Sequence, residues 1–433
     1  MRDTHRTDSG RPGTLAGRRR RLAVTACLVV IGLLIAACSG STTSHSTQHK
    51  PAPVSAAQLT ITPAAGARHV SPGGSVTVAV SRGTLANVSV IQGPDPVSGR
   101  LNATHTIWRS TWPLRPGRPY SVTATALDAN QRAVSKTITF RTARPAHTFQ
   151  VQIFEGYHQT YGVGIPIMLT FSRPVHRRAA VERSIQMWTS KPITGAWYWD
   201  SSTSLVFRPR TYWPQHTRVR FVAHLAGLEV ARGVYGTSDL TQSFRIGSSL
   251  IAVVSTANHY AKIYYHRKLF GTWPVSTGAP GDDTANGTYL TIEKANPVLM
   301  SGPGYTDFPV PYSVRFTWSG DYMHDAYWSV GEQGYTNVSH GCVNLSPYHA
   351  QVYYNLAVPG DPVTVTGSPA AGIWDDGWTE WFLSWKQLLR GSATHEAVKA
   401  GPHGSRFVSP AALQPVAATA PLDTPRRRNN LAG

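Results

Sequence analysis

Along residues 58–248, apolar and polar positions alternate with a period of two, and Gly, Pro, Asn or Asp interrupts the pattern at short intervals. Tyr120, Val122, Ala124 and Ala126 alternate with Ser121, Thr123 and Thr125, and Val219, Phe221, Ala223 and Leu225 repeat the pattern. Successive side chains of a strand point to opposite faces, so this spacing buries one face of a sheet and leaves the other in water. "WPLRPGRPYSVTATA" leads into "TITFRTA", and "FRPRTYWPQHTRVRFVAHL" leads into "TQSFRIG", so the two halves echo each other. The pattern predicts two tandem Ig-like β-sandwiches, residues 58–145 and 146–248, lacking the disulfide of antibody domains. A stalk is the expected role; a pair of carbohydrate-binding modules is the alternative.

From 249 to 367 the pattern changes. "LIAVVS", "AKIYYH", "LFGTWPVSTG", "TYLTIEKA" and "DPVTVTG" read as strands. Ser346 as N-cap and Pro347 at the first helical position open one helix, "YHAQVYYNLA", which stops before Pro359 and Gly360. This is a β-rich third domain with its chemistry on loops. Trp374, Trp378, Trp381, Phe382, Trp385, Leu388 and Leu389 then recur at helical spacing. Residues 368–392 are therefore expected to form a Trp-rich C-terminal helix whose stripe packs back on the preceding domains, with sugar stacking as the other use of such a face. Residues 393–433 are small, polar and Pro-rich and are expected to be a mobile tail. The fold class is thus multidomain and mainly β.

The N-terminus decides the compartment. Arg18–Arg21 precede a 16-residue apolar run from Leu22 to Ala37, shorter than the ~20 residues that span a bilayer. This is the secretory pattern. Leu34-Ile35-Ala36-Ala37-Cys38 resembles a bacterial lipobox, so residues 1–38 are a lipoprotein signal peptide, Cys38 the lipidation site and 39–57 a flexible tether. An uncleaved anchor is the alternative; either way the remainder lies outside the cytoplasmic membrane, in the cell wall. Of the formal charge of +19, residues 1–37 hold seven Arg against two Asp, so +14 belongs to the rest. The basic residues are scattered and no nucleic-acid fold signature occurs, which points away from nucleic acid and toward anionic lipid, an acidic wall polymer or solubility alone.

Three cysteines occur. Cys27 lies in the signal segment and Cys38 takes lipid, so Cys342, in "VSHGCVNL", has no partner for a disulfide. Buried packing is one account of a lone thiol outside the cell; use of its reactivity is the other. His340, two residues before it on the same side of an extended segment, and His324, eighteen before it, are candidate bases. Gly341 lets substrate approach the backbone, and the N–H groups around Gly341 and Cys342 are candidates for an oxyanion hole. The pattern suits a cysteine acyltransferase or peptidase. A zinc site is the rival, but no C-x-x-C, H-x-x-x-H or adjacent carboxylate pair accompanies the thiol, and no metal or organic cofactor is expected.

"HDAYWSVGEQGYTNVSHGCVNLSP" resembles the active-site signature of the L,D-transpeptidases, a His, a Gly-rich interval and S-H-G-C-x-N. "VSTG" with "TANGTY" resembles that family's early strand and turn, "GDPVTV" its closing strand, and the sandwiches and "GWTEWFLSWKQ" its actinobacterial lipoprotein branch. The resemblance covers nearly the whole chain after Cys38. It implies Cys342 as nucleophile, His324 as general base and Asp325 as the residue whose main-chain carbonyl orients the imidazole. It assigns His340 and Gly341 to the oxyanion hole and the nucleophile loop, Ser319, Gly320, Ser339 and Asn344 to stem-peptide binding, and Met300–Pro311 to a lid with Tyr305 as its contact. Three departures stand out: Asp325 where Ser is common, Ala285 for the usual Pro, and a short lid. The implied activity is peptidoglycan 3→3 cross-linking between donor and acceptor stem peptides through a Cys thioester, with carbapenems as inhibitors. An L,D-carboxypeptidase and a non-catalytic wall-binding lipoprotein are the alternatives.

Overall fold

A computed structural model describes residues 54–302 and 304–413 of the 433. Cys27, Cys38 and nearly all of the expected signal and tether segments lie outside the described residues. The alternating residues form the expected strands. Gln58–Thr62, Thr77–Ser81, Ile107–Ser110 and Gly99–Leu101 make one four-stranded sheet; Asp95–Pro96, Thr84–Gln92, Pro119–Leu127 and Ala133–Arg141 make the other. Val78, Trp108, Tyr120, Val122, Ala124 and Ala126 share the core between them.

The second sandwich pairs Thr160–Tyr161, Leu240–Ile246, Arg218–Ala223 and Ile185–Thr189 in one sheet. The facing sheet has six strands, and two of them come from the far end of the chain. Ala397–Gly401 pairs antiparallel with Ile193–Trp199, placing Ile193 opposite Ala400, and Gly404–Val408 closes the hairpin. The expected mobile tail from 393 is therefore corrected: as far as Leu413 it is ordered, and its strands complete the second sandwich. Ala397, Val398 and Ala400 are buried, but residues this small carry little hydrophobic signal in sequence. Glu182 anchors the crossing. Buried at the end of the short helix Arg178–Arg183, its carboxylate accepts from Trp199 Nε1 (2.8 Å), Ser392 Oγ (2.7 Å), Ala393 N (2.7 Å) and Thr394 Oγ1 (2.7 Å).

The Trp-rich segment ends in a helix, but a short one. Trp385–Gly391 is helical, opened by a capping box between Ser384 and Gln387, and a single 3-10 turn, Glu380–Phe382, precedes it. Asp375 and Gly377 have φ of 71° and 116°, which no helix accommodates, so one helix over 368–392 does not form. The aromatic spacing marks anchors instead. Trp378 and Trp381 enter the core of the second sandwich, Trp381 donates to Gly164 O (2.8 Å), and Phe382 meets Tyr289 of the third domain at 5.1 Å. Packing against the preceding domains is thus what the stripe does.

In the third domain a five-stranded sheet runs Lys268–Pro274, Tyr260–Tyr265, Leu250–Ser255, Pro362–Thr366, Gly287–Leu290. A four-stranded sheet runs Glu293–Ala295, Ser313–Arg315, Tyr322–Asp325, Val343–Leu345. Val254, Ile263, Tyr289, Met323, Val343 and Val365 fill the core they share. Helix Pro347–Leu356 begins where expected, with Ser346 Oγ accepting from His349 N, and buries Ala350 and Tyr353. Val298–Gly302 and Tyr305–Val310 form a separate hairpin over the segment expected to act as a lid.

Candidate active site

Tyr322–Asp325 and Val343–Leu345 are neighbouring parallel strands, with His324 opposite Asn344 and Met323 opposite Val343. Continuing this register one residue back brings Cys342 beside Tyr322. Side chains of i and i+2 share a face, so Cys342 and His324 stand on one face of adjacent strands, offset by one pleat. Met323, Val343 and Leu345 fill the opposite face and bury it completely, which pins the register, since a one-residue slip would turn them outward.

The imidazole is fixed. His324 is buried, and its Nδ1 donates to the main-chain O of Asp325 at 2.7 Å, leaving Nε2 as the free ring nitrogen. This is the atom of Asp325 that the resemblance assigns to the task; the carboxyl itself is buried, with Oδ1 unpartnered. Trp328 stacks on the ring at 5.8 Å and 26°, and Phe308 of the lid meets Trp328 edge-on at 5.1 Å. Burial pushes the His324 imidazole down to about 4.

The thiol is also held neutral. Cys342 keeps part of its surface open, yet its sulfur is enclosed enough that burial, with help from the Asp321 carboxylate, pushes it up to about 12. The Tyr322 N–H pulls the other way by favouring the thiolate. Cys342 Sγ lies 3.7 Å from Gly320 O, which accepts from the S–H.

Around Cys342 the backbone is stapled. Thr284 Oγ1 donates to Gly341 O (2.6 Å), and Ser339 Oγ donates to Cys342 O (2.6 Å) while accepting from Gly341 N (3.2 Å). Gly341 has φ of 125° and faces Asp321, whose Oδ1 a Cβ at 341 would strike. The Gly341 N–H turns inward to Ser339 Oγ, so of the two donors expected at an oxyanion hole this one is already engaged.

The other expected residues are placed as follows. His340 is exposed, and its ring lies 5.9 Å from that of Tyr305 on the lid. The Tyr305 phenol is raised by burial and by the nearby Cys342 sulfur. Ser339 is buried with its hydroxyl engaged inside the loop, and Asn344 is buried with Nδ2 on Ser329 Oγ (2.9 Å). Both side chains are thus engaged within the protein, Ser339 with the nucleophile-loop backbone and Asn344 with Ser329. Ser319 is exposed, but its N and Oγ are both taken by the carboxylate of Asp376, at 2.7 Å each. Of the expected residues, Gly320 meets the thiol through its carbonyl, and Tyr305, the expected lid contact, is close enough for the sulfur to act on its phenol.

Four contributors escaped the sequence reading. Thr284 belongs to the "TANGTY" turn, and Trp328 lies inside the signature, so both stood in recognised motifs. Asp321 stands only three residues before His324 and carried no motif. Asp376 reaches the site from 57 residues beyond Ser319, a contact that spacing cannot reveal.

Comparison with known proteins gives a consistent result. The family described as L,D-transpeptidase catalytic domain matches residues 249–365, and the one described as bacterial Ig domain matches 67–229. L,D-transpeptidase 2 of Mycobacterium tuberculosis is 31% identical over 351 residues, which cover 78% of this chain and 85% of that protein. L,D-transpeptidase 5 of the same organism is 32% identical over 402 residues, 89% and 88% of the two chains. A solved structure of an L,D-transpeptidase in complex with imipenem is similar at 36% identity, covering 51% of this chain and all of that one, with a TM-score of 0.43.

Proposed function

Because this chain belongs to the L,D-transpeptidase family, we propose that Cys342 is the nucleophile and His324 the general base of peptidoglycan 3→3 cross-linking. The observation that carries the assignment is their placement on one face of adjacent parallel strands, with Nδ1 of the imidazole tied to Asp325 O and Nε2 left to act. With the thiol near 12 and the imidazole near 4, the resting pair is neutral at physiological pH. Proton transfer to His324 therefore accompanies attack of sulfur on the donor carbonyl, the bond between residue three and the terminal D-Ala of a tetrapeptide stem. The Cys342 N–H, with the Tyr305 hydroxyl on the lid side, stabilises the developing oxyanion. The proton passes to the departing D-Ala, and a thioester remains. The side-chain amine of diaminopimelate on a second stem then attacks it, forming the cross-link and releasing the thiol.

The sandwiches act as a stalk, with lipid on Cys38 holding the chain on the outer face of the cell membrane. A relative was solved with imipenem, which supports carbapenems as acylating inhibitors of Cys342. The test is intact mass spectrometry of the full chain in detergent, with a carbapenem and separately with a disaccharide tetrapeptide. An adduct that disappears in Cys342→Ala, together with a dimer that has lost one D-Ala, is expected. A tripeptide without dimer would mean water is the acceptor and the chain a carboxypeptidase. Neither adduct nor D-Ala release, from folded protein, would leave the wall-binding lipoprotein.

A further inference from the structure

Asp321 is a charge that the acylation step does not need. Its carboxylate lies over the Gly341–Cys342 turn, close enough to forbid any side chain at 341, and it makes the thiol harder to ionise. Its own surroundings do little to settle it. Thr317 is hydrogen-bonded to its carboxyl and, through Oγ1, accepts from its main-chain N (2.7 Å). Asp376 of the C-terminal segment adds a second negative charge, and from strand Gly287–Leu290 Tyr289 presents a phenol that burial, and then both carboxylates, push up. None of the charged groups that act on Asp321 is a cation. The residue is nevertheless not fully buried, and its carboxylate faces the turn that carries Cys342. A carboxylate in a partly dry site, without a cation of its own, is disfavoured unless a partner arrives from outside.

The second half-reaction brings such a partner. Water, the competing acceptor, is neutral, whereas an amine acceptor reaches the thioester as an ammonium. We propose that Asp321 is the acceptor-binding residue: its carboxylate holds the ammonium of the incoming stem peptide beside the Cys342 thioester and so selects an amine over water. This deepens the transpeptidase reading above and rests on it. The held ammonium releases one proton to solvent, and the free amine attacks the thioester carbon. The C–N bond forms, the C–S bond breaks, and the second amine proton passes through His324 to the departing sulfur. Asp376 serves indirectly. By fixing Ser319 N and Oγ it sets the Ser319–Asp321 bend from which both Gly320 O and the Asp321 carboxylate face the thiol.

The experiment uses the full chain in detergent as wild type, Asp321→Asn and Asp321→Glu. Two rates are read: acylation by a carbapenem, and the ratio of cross-linked dimer to hydrolysed tripeptide formed from disaccharide tetrapeptide. In Asp321→Asn the ratio should fall about tenfold, the scale of one charge-assisted hydrogen bond, and recover as acceptor concentration is raised. Acylation of the same variant should become faster, because the charge opposing the thiolate is gone. Asp321→Glu should recover part of the ratio, and lowering the pH through about 6 should depress the ratio of the wild type but not of Asp321→Asn. An unchanged ratio in Asp321→Asn overturns the proposal. So does a parallel fall in acylation and ratio that Asp321→Glu does not relieve, which would mark a structural role. If the wild type forms neither adduct nor product, the transpeptidase reading itself fails, and the proposal with it, before any variant is compared.

Discussion

At the scale of single residues, the environments of His324 and Cys342 push their titrations apart, to about 4 and about 12. Burial drives both shifts in the direction of the neutral form. The base is ready to accept a proton at any pH above about 4, and free thiolate is scarce throughout the physiological range. Acylation by a carbapenem should therefore vary less than about threefold between pH 5 and 8 and fall once His324 is protonated near pH 4. Stopped-flow measurement of the acylation rate checks this. A tenfold rise for each pH unit would mean that free thiolate attacks and that His324 is not the base. Cys342, His324, Gly341 and the Asp325 carbonyl were legible in sequence because they fall within one short signature. Asp321 and Trp328 meet Gly341 and His324 through contacts that the local pattern does not name.

At the scale of elements, period-two alternation located the sandwich strands, and the N-cap pair Ser346 and Pro347 located the helix after the nucleophile. The same kind of reading failed over 368–392. Spacing of three and four residues there arises from aromatic anchors set along a bent loop, and the left-handed residues Asp375 and Gly377 exclude a continuous helix. The hairpin Ala397–Val408 depends on Glu182 at its entry, a carboxylate reached by two main-chain N–H groups, two hydroxyls and an indole. Glu182→Ala leaves those donors buried without an acceptor and should cost about 3 kcal/mol or more. It should also open the chain beyond Ser392 to limited proteolysis ahead of the rest. Cleavage at wild-type rate, with an unchanged melting temperature, would show that pairing with Ile193–Trp199 alone holds the hairpin.

At the scale of the whole molecule, the second sandwich and the third domain share one core: Ile251, Leu290 and Ile292 pack with Phe207, Trp378 and Trp381. Backbone bonds from Gly162 N to Pro359 O (2.8 Å) and Gly164 N to Gly360 O (2.9 Å) join their loops. Two carboxyls are buried in the same region. Burial lifts Glu155 to about 8 and Glu380 to about 7; the Glu380 carboxylate adds to the shift of Glu155, and Asp200 and Asp375 add to that of Glu380. Since their folded values exceed their unfolded ones, the native state holds protons that the unfolded chain has released. The stability they contribute is present in full below about pH 4.5 and is lost as pH rises through 7 to 8. The melting temperature should accordingly decline between pH 5 and 8, and Glu155→Gln should flatten that decline. A melting temperature that rises over this range, or a decline that Glu155→Gln leaves unchanged, would contradict the assignment.

The sequence by itself determined the β class, the two sandwiches, the β-rich third domain and the Cys–His pair, because each is written in local periodicity or in a signature of adjacent residues. Tertiary structure alone decided that the last strands belong to the second sandwich, that the tryptophans are anchors, and that Asp321 and Asp376 stand at the nucleophile. Those outcomes rest on contacts between residues 20 to more than 200 positions apart. Which surfaces meet over such separations is set by the burial they achieve together, a property of the folded chain as a whole that no window of sequence contains.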